Sequence, residues 1–449
     1  MELFTNIITT VVDLLWGWPM IILLLGTHVF LTIRLRFPQR HIFKAIRISL
    51  KKDKDADGEV SQFGALATAL AATIGTGNIV GVATAISLGG PGAIFWCWIT
   101  GIFGIATKYA EGLLAVKYRV TDKDGKVNGG PMYALERGLG WKKLGIAFAL
   151  FTALAAFGIG DTVQANAIST FADKAFGIPT WASGLLVMGL AGAVLLGGIK
   201  SIARVCTALV PFMAVLYIIG CIVILVMNHA YIWPAIQMIV ERAFSPAAAG
   251  GGFVGSTVML ACRYGVARGL FSNESGMGSA PIVAASAKTR NPVRQALVSS
   301  SGTFWDSVII CALTGLVIVS TIIAHPGITD ASEANGNTLT ELAFSMIPYG
   351  APFLAFGLLT FAFSTIIGWE IYGERAAQYL KIKAVYYRIA YVLAIYVGAT
   401  MDLGLVWTFA DCLNALMTIP NLIALIFLSG VIVNETRKYL WNNRLDDFE

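Results

Sequence analysis

The chain has 449 residues, 57% of them hydrophobic and 13% charged, where soluble domains carry roughly 25% charged residues. A mean hydropathy of +0.73 excludes an ordinary soluble domain and points to a polytopic membrane protein. The net charge of +6 would suit a nucleic-acid partner, but the basic residues are distributed as topology signals and exclude that class.

In chain order, eleven hydrophobic stretches approach the roughly 20 residues needed to span a bilayer: 12–33, 63–88, 92–116, 144–171, 180–198, 205–227, 252–287, 297–323, 350–380, 384–402 and 404–430. The N-terminus has neither a basic n-region nor a small-residue cleavage site, so it is expected to be mature chain rather than a signal peptide. After the first span, residues 40–52 form a basic amphipathic stretch expected to lie along the inner membrane surface.

The second span carries an interruption, Ala71-Ala72-Thr73-Ile74-Gly75-Thr76-Gly77-Asn78-Ile79-Val80-Gly81. Gly75 and Gly77 release the backbone from helix. In lipid the freed amides and carbonyls need partners, which suggests a ligand or ion site. Close helix packing through Gly77-x-x-x-Gly81 explains the same residues equally well at this stage. A dinucleotide-binding loop does not: that fold wants a carboxylate about 20 residues on, and the next acid is Glu111.

Residues 230–245 read as a short interfacial helix with Tyr231 and Trp233 at headgroup level. The seventh span, 252–287, contains a second polar interruption around Gly269–Gly276. The longest loop opposite the basic ones, 325–349, carries Asp330, Glu333 and Glu341.

Most lysines and arginines fall in alternate loops (34–62, 117–143, 199–204, 288–294, 374–388 and beyond 431), whereas the other loops hold only Lys174 and Arg242. The positive-inside rule then puts the N-terminus outside and the C-terminus in the cytoplasm of a multi-pass cell-membrane protein. Lys108, Arg263 and Arg268 lie within spans. The six cysteines fall in or beside apolar spans without a CxxC pair and read as small buried hydrophobes. Histidines 28, 41, 229 and 325 fall at span ends or loops, and no HExxH, nucleophile elbow or phosphate-binding GKS/T loop occurs, so no enzyme is expected.

The two interruptions lie five spans apart. An odd offset means that the two halves enter from opposite sides, and paired interruptions in inverted halves are the best sequence pointer to a transporter's binding site. The expectation is a single all-α transporter domain: an extra helix at 12–33, a first inverted repeat over 63–227 and a second over 252–430.

Several motifs carry a resemblance. Gly89-Gly90-Pro91-Gly92-Ala93-Ile94-Phe95-Trp96-Cys97-Trp98 resembles the signature of the alanine or glycine:cation symporter family, with Cys97 where methionine is usual. Gly75–Gly81 and Gly269–Gly276 resemble that family's two unwound regions, and Asn128–Tyr133 and Phe157–Asn166 are similar too. The resemblance implies a LeuT-type 5+5 inverted-repeat fold over spans two to eleven and sodium-driven uptake of small neutral amino acids, alanine and glycine. The bilayer is the other partner, and no organic cofactor is implied.

A zwitterion in a low-dielectric site needs donors for its carboxylate and acceptors for its ammonium. Thr76, Gly77 and Asn78 at the restarted helix are the donor candidates. The carbonyls of Phe271, Ser272 and Asn273 are the acceptors, and Gln164 adds a polar contact. Gly276, Met277 and Ile366 would wall a small pocket, and Asp161 is a buried carboxylate that contacts substrate or braces the break. For each of these side chains, helix–helix hydrogen bonding or packing stands as the rival role. Sodium prefers hard oxygen ligands, which Ser364, Thr365 and the Phe361 carbonyl supply; similarity to LeuT-type transporters adds the carbonyls of Ala71 and Ile74. No full ligand set for a second sodium is found around Asn78.

Arg263 and Arg268 are expected in gating pairs with Asp161 or an outer acid, or in mutual neutralisation with Glu274. Glu370 and Glu374 are expected in cytoplasmic gate or surface pairs, while Asp306 and Asp411 have no evident partners. Two other readings stand: a proton-coupled permease of the same fold using Asp161 or Glu274, and, in a different class, a membrane-embedded enzyme or receptor.

Overall fold

The computed structural model describes residues 12, 14–51, 53, 56–123, 125–244, 258–326, 336–401 and 404–449. Asp330 and Glu333, and residues 252–257 of the expected seventh span, lie outside these.

Among the described residues the architecture is helical apart from one small hairpin. Helix α1 (Trp18–Arg34) is followed by α2 (Ile42–Ser49), which with its preceding turn is bent 65° from α1. The second span is two helices, α3 (Gln62–Thr73) and α4 (Gly77–Gly89), meeting at 53°. Helix α5 (Ala93–Lys117) leads through strands β1 (Val120–Thr121) and β2 (Val127–Asn128) to α6 (Lys142–Phe176). Helix α6 contains a wide π-helical turn at Ala156–Thr162, a deviation frequent at functional sites. Helices α7 (Thr180–Leu195), α8 (Gly198–Met227) and α9 (His229–Phe244) complete the first half; α9 is the expected short helix between spans six and seven.

The second half opens with α10 (Val258–Asn273) and the short α11 (Pro281–Ala284). Then come α12 (Pro292–Ala324), α13 (Gly336–Ser345), α14 (Gly350–Tyr379), α15 (Ala384–Thr400), α16 (Gly404–Phe427) and α17 (Ser429–Thr436). Helix α13 sits inside the stretch expected to be loop, because 336–345 is long and apolar enough to pack on α4 and α14. By length and composition six described helices can cross a bilayer, or eight if each bent pair is one span.

Helix α5 is the central post, packed along α10, α12 and α1, while α14 fits between α3, α6 and α8. Helices α7, α8 and α15 turn rows of Leu186, Leu190, Phe212, Val215 and Leu393 outward, the surface a lipid solvent would cover. Cysteines 97, 206, 221, 262, 311 and 412 are all free; four are buried as expected, whereas Cys262 and Cys412 are only half-buried.

The face carrying the basic loops is tightly closed. Glu59 N–H donates to the Ser286 carbonyl at 2.8 Å and Lys288 N–H to the Val60 carbonyl at 2.8 Å, joining the start of α3 to the chain leaving α11. Arg375 donates to Glu59 at 2.8 Å and to Asn128 at 3.0 Å, and Arg119 donates to the carbonyls of Ala285 and Ala287 at 3.1 and 2.9 Å. Glu370 and Glu374 pair with Arg388 on this side, as the sequence led us to expect. On the opposite face a cavity of about 360 Å³ runs between α6, α13 and α14 down to Thr76.

Candidate functional site

The first break takes its shape from residues that let the backbone go. Ile74 leaves helical geometry (φ −76°, ψ 87°), and α4 begins again at Gly77. A Cβ on Gly75 would stand 2.6 Å from Thr365 Oγ1, so only glycine lets the break touch α14. Asn78 then braces the gap: its Oδ1 accepts from Gly75 N–H at 3.0 Å and its Nδ2 donates to Asp306 at 2.7 Å. Thr76 and Gly77 stand where α4 restarts, a position whose N–H groups have no intrahelical acceptor.

The second break starts later than the motif suggested, because α10 stays helical through Asn273. Glu274 adopts a left-handed φ of 54°, followed by Gly276 and Gly278 at 93° and 84°, where glycine carries no Cβ penalty. Glu111 on α5 holds this loop: one of its oxygens accepts from Gly276 N–H at 3.0 Å, Gly278 N–H at 3.1 Å and Asn421 Nδ2 at 2.7 Å. Ser279 donates to Glu274 at 2.5 Å. The last-turn carbonyls at Phe271, Ser272 and Asn273 precede a loop that does not continue the helical N–H ladder.

Asp306, in the π-helical stretch of α12, ties the breaks together. It accepts from Asn78, from Ser272 Oγ at 3.0 Å and from Ser307 Oγ at 2.8 Å, while Asn273 donates to Ser307 at 3.0 Å. It does therefore have partners. Sequence reasoning left Asp306 unexplained and used Glu111 only to reject a motif. A carboxylate inside an apolar span was the available signal for both.

Around the first break the sequence candidates converge. Thr76 Oγ1 donates to Gln164 Oε1 at 3.3 Å, and Phe271 lies 3.5 Å from where a Gly77 Cβ would be. Thr76 forms the floor of the cavity, whose upper walls carry Phe171, Lys174, Glu341 and Leu358. Other candidates point elsewhere. Gly276 faces Leu24, Leu422 and His28; Met277 is buried in the core beside it; and the Ile366 carbonyl accepts from Tyr391 at 3.0 Å. Asp161 is fully buried and neither of its oxygens has a hydrogen-bond partner.

The cation candidates form a compact oxygen cluster. Ser364 Oγ and Thr365 Oγ1 each lie within donating distance of two carbonyls, Ala71 at 3.2 Å and Phe361 at 2.9 and 3.0 Å. Ile74 caps α3 next to Gly75, which abuts Thr365. Of the partners expected for Arg263 and Arg268, Asp161 is not among the walls of the cavity of about 160 Å³ that both line, whereas Asp411 is.

A family model described as "Sodium:alanine symporter family" matches residues 1–447. The sodium/alanine symporter AgcS of Methanococcus maripaludis is 50% identical over 447 residues, covering 97% of each chain. A Haemophilus influenzae protein described as an uncharacterized transporter is 50% identical over 451 residues, 99% of this chain and 98% of that one. Among solved structures, MhsT in complex with L-phenylalanine matches with a TM-score of 0.60 at 16% identity, covering 87% of this chain and 95% of that one, a likeness of fold.

Proposed function

Because the chain belongs to the sodium:alanine symporter family and is a multi-pass membrane transporter rather than an enzyme, we propose that it imports alanine and glycine with sodium by alternating access. The proposed layout is eleven spans, a five-plus-five inverted repeat (63–227 and 252–430) behind the helix at 12–33, N-terminus outside and C-terminus cytoplasmic. In that orientation the closed basic face is the cytoplasmic gate and the cavity above Thr76 is the outer entrance.

One observation carries the reading. The Ser364, Thr365, Ala71 and Phe361 oxygens converge exclusively from neutral groups, beside a broken helix at the floor of an access cavity. Neutral hard oxygens suit sodium, and a cation there, joined by the Ile74 carbonyl, would hold α3 to α14 and fix the break in its substrate-binding shape. The substrate carboxylate is assigned to the Thr76–Gly77 end of α4, with Asn78 and Asp306 holding that end in place. Its ammonium goes to the Phe271–Asn273 carbonyls, with Gln164 alongside. Coupling follows because each ligand favours the same conformation.

Proton coupling is the second reading, favoured by the two unpartnered oxygens of buried Asp161. Labelled-alanine uptake into proteoliposomes separates the two. An inward sodium gradient at equal pH should stimulate uptake several-fold; stimulation by a pH gradient alone, with none by sodium, would transfer the role to Asp161 or Glu274. Competition by a panel of amino acids then sets the substrate range.

A further inference from the structure

Helix α5 carries a charge that the proposed mechanism does not use. Lys108 is 4% exposed, and among the described residues its ammonium has no hydrogen-bond or ion-pair partner. It lines a small cavity of about 20 Å³ between α3, α11 and α12, with Thr73, Asn273, Gln295 and Ser299 on the walls. That volume admits about one water molecule, not an ion with a coordination shell. Burying an ammonium without a counter-charge costs several kcal/mol, so its surroundings should explain it.

They do. Glu111 lies three residues on, on the same face of α5. One of its oxygens is saturated by three N–H donors, the coordination of an anion, and the other has no partner. Glu274 and Asp306 complete a set of three buried carboxylates within electrostatic reach of Lys108. Among the described residues, His28 of α1, Tyr372 of α14 and Cys311 of α12 also face this set; α3 and α11 contribute no titratable group. His28, expected near a span end, is fully buried, and its Nδ1 shares a hydrogen bond with Thr107 at 2.7 Å. Lys108 is thus a basic residue that interacts electrostatically with all three carboxylates around the second break.

We propose that Lys108 is the resident counter-cation of the second break, a positioning residue whose tethered ammonium supplies the charge that a second coupling ion would otherwise bring. Glu111 and Glu274 hold residues 274–280 out of helix, and Lys108 offsets their charge without leaving the protein. The proposal rests on the sodium-coupled reading and adds that one sodium accompanies each amino acid.

The test is alanine uptake into proteoliposomes as a function of sodium, between about pH 5.5 and 8, for wild type, K108R, K108M and K108M/E274Q. Wild type and K108R should show hyperbolic sodium activation. In K108M the half-saturating sodium concentration should rise about tenfold or more, activation should become sigmoidal, and the pH optimum should move to acid as protons replace the missing charge. E274Q in that background should return both curves to within about twofold of wild type. K108M with wild-type sodium and pH curves overturns the proposal. So does a double variant that keeps the K108M defect, or one that fails to fold, since Lys108 would then serve packing alone. Absence of sodium stimulation in wild type would refute the sodium reading separately; the acid shift in K108M and its removal by E274Q would still decide the role of Lys108.

Discussion

The two breaks solve one problem with different chemistry. The first, Thr73 to Gly77, is short and held by neutral groups: a glycine pressed on Thr365, an asparagine folded back on Gly75, and a threonine bound to Gln164. The second, Glu274 to Ala280, is longer and held by carboxylates, with two glycine N–H groups on Glu111 and a serine on Glu274. A neutral frame leaves charge recognition to whatever enters, so the first break suits a ligand site. A charged frame needs its own counter-charge and suits a fixed anchor. Asp306 is where the two meet.

Breaking that junction should have the largest effect. Asp306→Ala leaves donors on Asn78, Ser272 and Ser307 without their shared acceptor, at a cost of about 3–5 kcal/mol. Thermal unfolding in detergent should register the loss and uptake should vanish; a stable, active variant would mean that the breaks are independent. Gly75→Ala is next, since its Cβ would meet Thr365 Oγ1 at 2.6 Å, a clash worth about 1–3 kcal/mol. Adding Thr365→Ala should relieve that strain while leaving sodium dependence impaired, which unfolding and uptake measured together would reveal.

Thr365→Ala alone probes the neutral frame and should raise half-saturating sodium about tenfold, about 1.4 kcal/mol, with little change in melting temperature. An unchanged sodium titration removes Thr365 from the site. The smallest effect belongs to a contact outside both breaks. Lys142 pairs with Glu136 at 3.3 Å while 68% exposed, so Lys142→Ala should shift stability by less than about 0.5 kcal/mol.

The first break was legible because its cause is local: Gly75 and Gly77 interrupt an apolar run whatever surrounds them. The membrane class and the short helix at His229–Phe244 were legible for the same reason. The frame of the second break was not. Glu111 precedes Gly276 by 165 residues and Asn421 follows it by 145, and no periodicity encodes such a meeting. Its position was misjudged as well, since Phe271 and Ser272 remain helical and the left-handed turn at Glu274 is chosen by its distant partners. Asn78 reads in sequence as a backbone-amide donor at the restarted helix; nothing local signals that its side chain joins Gly75 to Asp306, a pairing only the folded chain creates.

The oxygen cluster at α3 and α14 has a bearing on unloading. Both hydroxyls already donate to the carbonyls with which they would share a cation. An arriving ion must turn those hydroxyl hydrogens aside, and a departing ion leaves behind groups that immediately satisfy one another. On the proposed reading, discharge of a cation would therefore leave no unpaired oxygen in this cluster, which would keep its affinity modest and ease return without cargo.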